Sequence, residues 1–425
     1  MQKQNTWDVI VVGGGASGLM AAGRSAERGQ RVLLLEKNKK LGEKLGISGG
    51  GRCNITNAEE NVRVFAAMYG KAEQFLYSLF AQFGVKDTFT FFESRGLPLV
   101  VQARKRAFPA SEKAGDVIKV LEKYVRDPST RLRAGGGAVV RTGSAVTKIV
   151  SGKDGISAVY CGKAEHRAKS YILATGSVSH PETGSTGDGF LWLRQLGHTV
   201  AVPTPTIVPL KVADEWSKTL SGTSLSFMKI TFFVDSKKAF AKTGKILFTH
   251  FGLSGPLILN SASAVADLLH SGVVTATIDA YPHTDLGSLE KTIISVFDKN
   301  KNKALKNIIK EVVPDGTHKG VLVLLQDTMD ITKKVHSVTK EERKVLVHLL
   351  KALPLTIEGL MGFDRAVIAD GGVPLSEIDT KTLRSKKVPN LFITGDLLHI
   401  KRPSGGYSLQ LCWTTGWVAG NTANT

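Results

Sequence analysis

A chain of 425 residues, 42% apolar and 22% charged, has the length of two or three domains and the composition of an ordinary globular protein. That composition excludes a disordered chain, and with no run of about 18 apolar residues the sequence predicts no membrane-spanning helix. The formal net charge of +19 leaves two readings open: a polyanionic partner such as RNA, or a basic enzyme whose site accepts anions.

The first residues run from Met1 straight into an apolar strand, which predicts no signal peptide. Cys53, Cys161 and Cys412 form no CxxC pair, which points to a reducing, cytoplasmic setting. Asp8 to Val12 is a short apolar run ending in three glycines and reads as a buried parallel strand. Ala16 to Arg28 reads as a helix stopped by Gly29, and Arg31 to Glu36 as a second buried strand, completing a right-handed βαβ unit. Further on, 114–126 has helical spacing, 138–150 and 156–160 read as strands, and Tyr171 to Gly176 is another strand with a glycine end. After residue 200, prolines and short alternating segments (Met228 to Val234, Val273 to Ile278) predict a β-rich insert. Residues 287–351 read as helical, including 299–310, whose lysines take the face opposite Leu305, Ile308 and Ile309. Beyond Pro354 the earlier style returns: Asn390 to Asp396 is a buried strand that opens an apparent helix, and the apolar stretch Tyr407 to Gly420 follows. The pattern predicts a discontinuous nucleotide domain from 1–191 and 356–425, a β-rich domain at 192–285 and a helical subdomain at 286–355.

The glycines carry the chemistry. In Gly13-x-Gly15-x-x-Gly18, Gly13 permits a tight turn, Gly15 lets a pyrophosphate approach, and Gly18 lets helix and strand pack closely. The helix that starts at Ala16 and Ser17 directs free N–H groups and its positive dipole end at the phosphates. Glu36 ends the next strand, where a carboxylate can accept both ribose hydroxyls and disfavours a 2′-phosphate. Thr394-Gly395-Asp396 provides a second element, with Asp396 suited to ribityl hydroxyls, and Thr175-Gly176 a third strand end passing the cofactor. Together these favour non-covalent FAD over NAD. The triple glycine before Arg52 exposes N–H groups for an anion, and Arg52 adds a forked donor.

Five longer stretches, Ser48 to Asn57, Gly184 to Gly189, Leu247 to Pro256, Ala369 to Val373 and Gly405 to Gln410, resemble a bacterial flavoprotein family described as aminoacetone-oxidase-like or as NAD(P)/FAD-dependent oxidoreductases. The resemblance runs the whole chain. It implies an α/β fold: a Rossmann-type FAD-binding domain, discontinuous, interrupted by a β-barrel-like domain and a small helical subdomain. It also implies FAD contacts from the first glycine loop, from Glu36 and Lys37, from Lys44, Ser48, Gly50, Gly51, Arg52 and Asn54, from Val146, and from Gly395, Asp396, Gly406, Tyr407 and Gln410. The family commonly has Glu where this chain has Asp396, and Asn where it has Ser408.

A flavin supplies the redox chemistry, so no strong catalytic motif is required. His250 is the first candidate for a substrate-facing group, within an insert expected to shield the cofactor, where Gly252 and Gly255 would let the backbone approach a ligand, and Tyr407 the second; Cys53, Cys412, Arg104 and Arg106 are weaker candidates. Neither Gly135 to Gly137 nor Gly184 to Gly189 makes a second dinucleotide unit, so electrons come from the substrate or from transiently visiting NAD(P)H. No metal, nucleophile-elbow or P-loop pattern occurs. The reading is an FAD-dependent oxidoreductase acting on a small molecule, by amine oxidation or by reduction of an activated double bond, with RNA modification as the alternative.

Overall fold

β1 (Trp7–Val12), whose Val9 to Val12 are consecutive buried apolar residues, is the middle strand of a five-stranded parallel sheet, because strands covered on both faces have no polar side. The computed structural model describes residues 6–127 and 137–424, so Gly135 and Gly136 lie outside the described residues. The chain divides into two units: Met1–Pro205 with Val367–Thr425, and Thr206–Ala366.

In the first unit, α1 (Ala16–Glu27) joins β1 to β2 (Arg31–Leu35), and the order across the sheet is Leu391–Ile393, Ala168–Leu173, β1, β2, then the strand Gly137–Arg141. Val11 pairs with Leu34 on one side and Ile172 on the other, and Ile172 pairs with Phe392. The chain leaves β1 toward β2 and returns on its opposite side, so a topological switch lies at the carboxyl end of β1, where such sheets open a crevice for a ligand. This is a Rossmann-type arrangement, built from both ends of the sequence. α2 (Glu43–Ile47) follows β2, and a small antiparallel sheet joins β3 (Thr56–Asn57), β4 (Leu99–Gln102) and β5 (Arg106–Pro109), in the order β3, β5, β4. Residues 148–152, 155–161 and 164–166 form a separate meander. The single strand expected over 138–150 is therefore two. It breaks after Arg141, where Gly143 turns left-handed (φ 62°) and the Ser144 N–H donates to the Glu36 carbonyl.

In the second unit six antiparallel strands close a barrel, with Leu210–Val212, Gly252–Ser254, Lys237–Thr249, Ser224–Val234, Val274–Asp279 and Leu353–Leu360 as successive neighbours. Helices Leu286–Lys299, His318–Gln326 and Lys340–Lys351 share one apolar core with it: Ile293, Leu325 and Leu346 belong to the same buried cluster as Ile230 and Phe232. The continuous helix expected over 299–310 is absent; the helix ends at Lys299, and only Leu305–Ile308 is α-helical again. Leu305 and Ile308 are buried in the shared core, and the intervening chain turns through Asn300, whose amide donates to the Val296 carbonyl.

Among the described residues no helix is long and apolar enough to cross a membrane.

Candidate functional site

The glycine turn after β1 shows which glycines the protein itself requires. Gly13 has φ +105°, and a Cβ there would lie 2.5 Å from the Ala174 carbonyl oxygen. A Cβ on Gly18 would lie 1.8 Å from the Gly13 oxygen. Gly15 is different. Its backbone (φ −83°, ψ −166°) is open to any residue, and a Cβ would meet nothing within 4 Å. It is also the N-cap of α1 and offers no side-chain cap to the free N–H groups there, which Ala16 and Ser17 begin. The space in front of α1 is thus kept clear for something outside the protein, and an anion is what it suits.

Glu36, 8% exposed, closes the turn from the other side: its carboxylate accepts the Gly14 N–H (2.6 Å) and the Asn38 N–H (2.7 Å). Beside it lies a cavity lined by Gly13, Glu36, Lys37, Val146 and Thr175, all anticipated, together with Ser144, Thr186, Asp188 and Trp192, which sequence reasoning did not single out as site residues. Lys37 donates to Asp188 (2.8 Å) and Thr186 (2.5 Å). Burial would raise the Asp188 pKa, but the hydrogen bonds it accepts from Lys37 and from the Thr186 hydroxyl (2.8 Å) outweigh it and hold the carboxyl below its usual range. The signal for Asp188 and Thr186 lies in the stretch Gly184 to Gly189, one of those that carry the family resemblance. Thr175 carries a buried hydroxyl with no hydrogen-bond partner, as does Ser177 two residues on. Unpaired buried hydroxyls call for a partner. Together with the clear space at Gly15, they fit a bound dinucleotide.

Further along the crevice, Gly176 (φ +72°) passes close to the Lys44 side chain, with a built Cβ 3.9 Å from its Nζ. Burial lowers the Lys44 pKa, with Asp396 opposing, and its amine donates to Ser179 (3.1 Å). Thr394 donates to Ser17 on α1 (3.2 Å), which brings Gly395 and Asp396 to the helix start. The helix expected to open at Asp396 is a single 3-10 turn, Gly395–Leu397; the long helix begins only at Tyr407, beyond Pro403 and the left-handed Gly405 and Gly406. The unforeseen member of this group is Arg402. Its side chain is 1% exposed; it pairs with Asp396 and donates to Ser408 (3.1 Å) and the Ile400 carbonyl (2.8 Å). A buried guanidinium needs a carboxylate partner, but nothing in the spacing singled out this arginine.

The loop of Ser48 to Asn57 is tied to the segment before Tyr407. Gly50 and Gly51 are left-handed (φ 69° and 82°), with open space beside both, and Ser48 donates to the Leu45 carbonyl. Asn54, with its amide oxygen toward Gly406, accepts that residue's N–H at 3.0 Å. Arg52 is engaged by Glu112 (3.0 Å) and lies over the Phe108 ring. Tyr407 is 7% exposed and packs against Phe65 and Tyr69, and burial followed by the Glu59 charge raises its hydroxyl pKa.

The structure alters three expectations. Gln410 is fully buried and its amide is consumed internally, accepting from Thr56 (2.7 Å) and Thr88 (3.0 Å) and donating to Thr414 (3.1 Å), so it holds the long helix in place instead of facing a cofactor. Cys53 and Cys412 are both pushed up to about 12 by burial, which leaves neither a thiolate. Gly252 and Gly255, expected to admit a ligand, are required by the barrel: their Cβ positions meet the Leu210 carbonyl oxygen at 2.5 Å and the Leu247 nitrogen at 2.9 Å. His250 lies in the second unit, exposed in the turn after Lys237–Thr249, edge-on to Phe251. No group of three His, Cys, Asp or Glu that could hold a metal occurs among the described residues.

The chain is similar to the 3-dehydro-bile acid delta(4,6)-reductase of Clostridium scindens, 27% identical over 97% of this chain and 98% of that protein. It is similar at 27% identity, over 96% of each chain, to the ribosomal RNA dihydrouridine synthase of Haemophilus influenzae. In fold it resembles the 3-ketosteroid-delta4-(5alpha)-dehydrogenase of Rhodococcus jostii RHA1, with a TM-score of 0.51, 15% identity, and coverage of 100% of this chain and 98% of that one. The Rossmann-domain model of the HI0933-like proteins matches residues 7–422. From the glycine turn to the helix of Tyr407, this chain belongs to the HI0933-like family of FAD-type Rossmann proteins.

Proposed function

We propose that this FAD-dependent oxidoreductase reduces a carbon–carbon double bond conjugated to a carbonyl. The observation that carries the reading is end-to-end similarity to two curated relatives, named for a bile acid reductase and a dihydrouridine synthase: each name describes adding two hydrogens across such a bond. Bound FAD would supply the two-electron chemistry, with NAD(P)H proposed as its transient donor. The chain's part is to hold and orient. α1, Gly15 and Ser17 receive the pyrophosphate, Glu36 and the Asp188 cavity the adenosine end, and Lys44, Asp396, Gly395 and Gly406 the remainder. Tyr407, kept protonated by burial, is assigned the proton given to the reduced bond.

Two substrate classes offer such a bond: a free small molecule, the first expectation from sequence, and the uracil ring in RNA. The net charge of +19 is the specific observation that favours RNA. The test is anaerobic. Flavin reduced with NADH or NADPH is mixed with a steroid enone, with uridine-containing RNA, or with buffer, and return of the oxidised flavin absorbance is followed. Reoxidation by an enone or RNA supports the proposal. Reduction of the oxidised flavin by amines such as aminoacetone, with neither acceptor active, overturns it in favour of amine oxidation.

A further inference from the structure

The hairpin between β4 and β5 turns through two consecutive non-glycine residues in the left-handed region, Arg104 (φ 63°) and Lys105 (φ 56°). Neither side chain is suited to that conformation, and such outliers persist only where the surroundings enforce them. Here they do. The Lys105 carbonyl accepts the Ala58 N–H at 2.6 Å, the Arg104 carbonyl accepts from the Asn57 amide at 3.2 Å, and the Lys105 amine pairs with Glu59 at 2.6 Å. The same Asn57 amide donates to the Gly405 carbonyl at 3.3 Å, and Gly406 rests on the Thr56 and Asn57 backbone so tightly that a Cβ would lie 2.2 Å from the Thr56 carbonyl carbon. One side chain therefore fixes the strained turn to the loop that leads into Tyr407. The turn is basic and open. Arg104 is exposed, with no carboxylate in ion-pair range among the described residues, and the next residue but one is Arg106. On the neighbouring edge strand Val100 and Val101 are about half exposed.

We propose that this turn is a phosphate-gripping element that holds an RNA strand beside the cofactor site. The inference rests on the RNA reading above and adds where the strand is held. Arg104 supplies the unpaired cation, Lys105 and Arg106 extend the charge along the backbone, and the valine edge offers an apolar surface for a base. Glycine would relieve the left-handed strain at both positions, yet an exposed arginine and an exposed lysine occupy them.

The test uses the FAD-loaded full chain and a fluorescein-labelled single-stranded oligouridylate, with Kd measured across a range of KCl concentrations. Wild type should bind with a steep negative salt slope. Arg104→Gln should raise Kd by about three- to tenfold and make the slope shallower by about 0.7, with FAD content unchanged. Arg104→Gly and Lys105→Gly should weaken binding in the same way while raising Tm, because glycine relieves the left-handed strain. Wild-type Kd and slope in all three variants, alongside tight wild-type binding, would overturn the inference and leave the RNA reading standing. No salt-dependent binding by wild type would overturn both, and binding of an anionic steroid enone that Arg104→Gln abolishes would assign the turn to a small-molecule carboxylate instead.

Discussion

Glu36 accepts the backbone N–H of Gly14 at 2.6 Å, so the carboxylate expected to hold a ribose also fastens the glycine turn that faces the phosphates. Replacing it removes both functions at once. Glu36→Ala should raise the Kd for FAD by roughly 10²-fold and lower the Tm of the apoprotein, since charge-assisted bonds to buried N–H groups contribute roughly 1.5–3 kcal/mol each. Flavin titration and a thermal melt read the two effects separately. An unchanged FAD affinity would remove Glu36 from the cofactor site.

Gly15 and Gly18 should separate cofactor binding from stability. Gly18→Ala places a methyl 1.8 Å from a backbone oxygen and should unfold or strongly destabilise the apoprotein. Gly15→Ala meets no protein atom, so the apoprotein should melt as wild type does while FAD binding weakens by tenfold or more. Equal FAD affinity in wild type and Gly15→Ala would mean the space before α1 is not the phosphate site.

A buried histidine and its carboxylate partner contribute to the acid sensitivity of the first unit. His198, 4% exposed, meets Glu377 at 2.6 Å. Burial would raise Glu377, but hydrogen bonds from Lys387, His198 and Thr199 prevail and hold it at about 2. Because the folded value lies below the unfolded 4.5, the stabilisation is fully present above pH 4.5 and is lost as the pH falls toward 2. It amounts to on the order of 3 kcal/mol. Denaturant melts at pH 7 and pH 3.5 should show roughly half of this loss in wild type and much less of it in Glu377→Gln; identical pH dependence in the two proteins would refute the assignment.

Tyr407→Phe keeps the ring among Phe65 and Tyr69 and deletes only the hydroxyl. FAD content should hold, while the rate at which substrate reoxidises reduced flavin falls by ~10²–10⁴-fold. Since burial raises the hydroxyl above its usual 10.0, the wild-type rate should show no limb from this group below pH 10. Stopped-flow traces of both proteins across pH decide it, and a Tyr407→Phe rate within a factor of two of wild type would move the proton to another donor.

The βαβ unit and the β-rich character of the insert were legible in the sequence because each is local or periodic: buried parallel strands read as unbroken apolar runs, and short alternating segments read as strands; closure of the insert into a barrel was implied only by the family resemblance. Gln410 was not, because its amide is satisfied by Thr56 and Thr88, more than 300 residues earlier in the chain. Arg402 looked like one more surface cation among 56 lysines and arginines, and only the fold buries it against Asp396. The helix placed at Asp396 failed for a local reason: apolar residues continue through Leu397 and Leu398, but Pro403, Gly405 and Gly406 postpone the helix start to Tyr407.

The last helix lies against the first. Gly416 and Gly420 let Tyr407–Thr422 approach so closely that Cβ atoms there would stand 2.3 and 2.4 Å from the Ser17 and Ala21 carbonyl oxygens of α1. During synthesis this means that α1 and the edge of strand Ala168–Leu173 leave the ribosome long before the segments that cover them. At typical elongation rates the exposure lasts on the order of ten seconds or more, with an apolar helix face and an unpaired strand edge open to other chains. Cofactor loading would thereby wait for Leu391–Ile393 and Tyr407–Thr422 to emerge. A nascent chain stalled before residue 390 should need chaperone protection and take up no FAD, even though its glycine turn is complete.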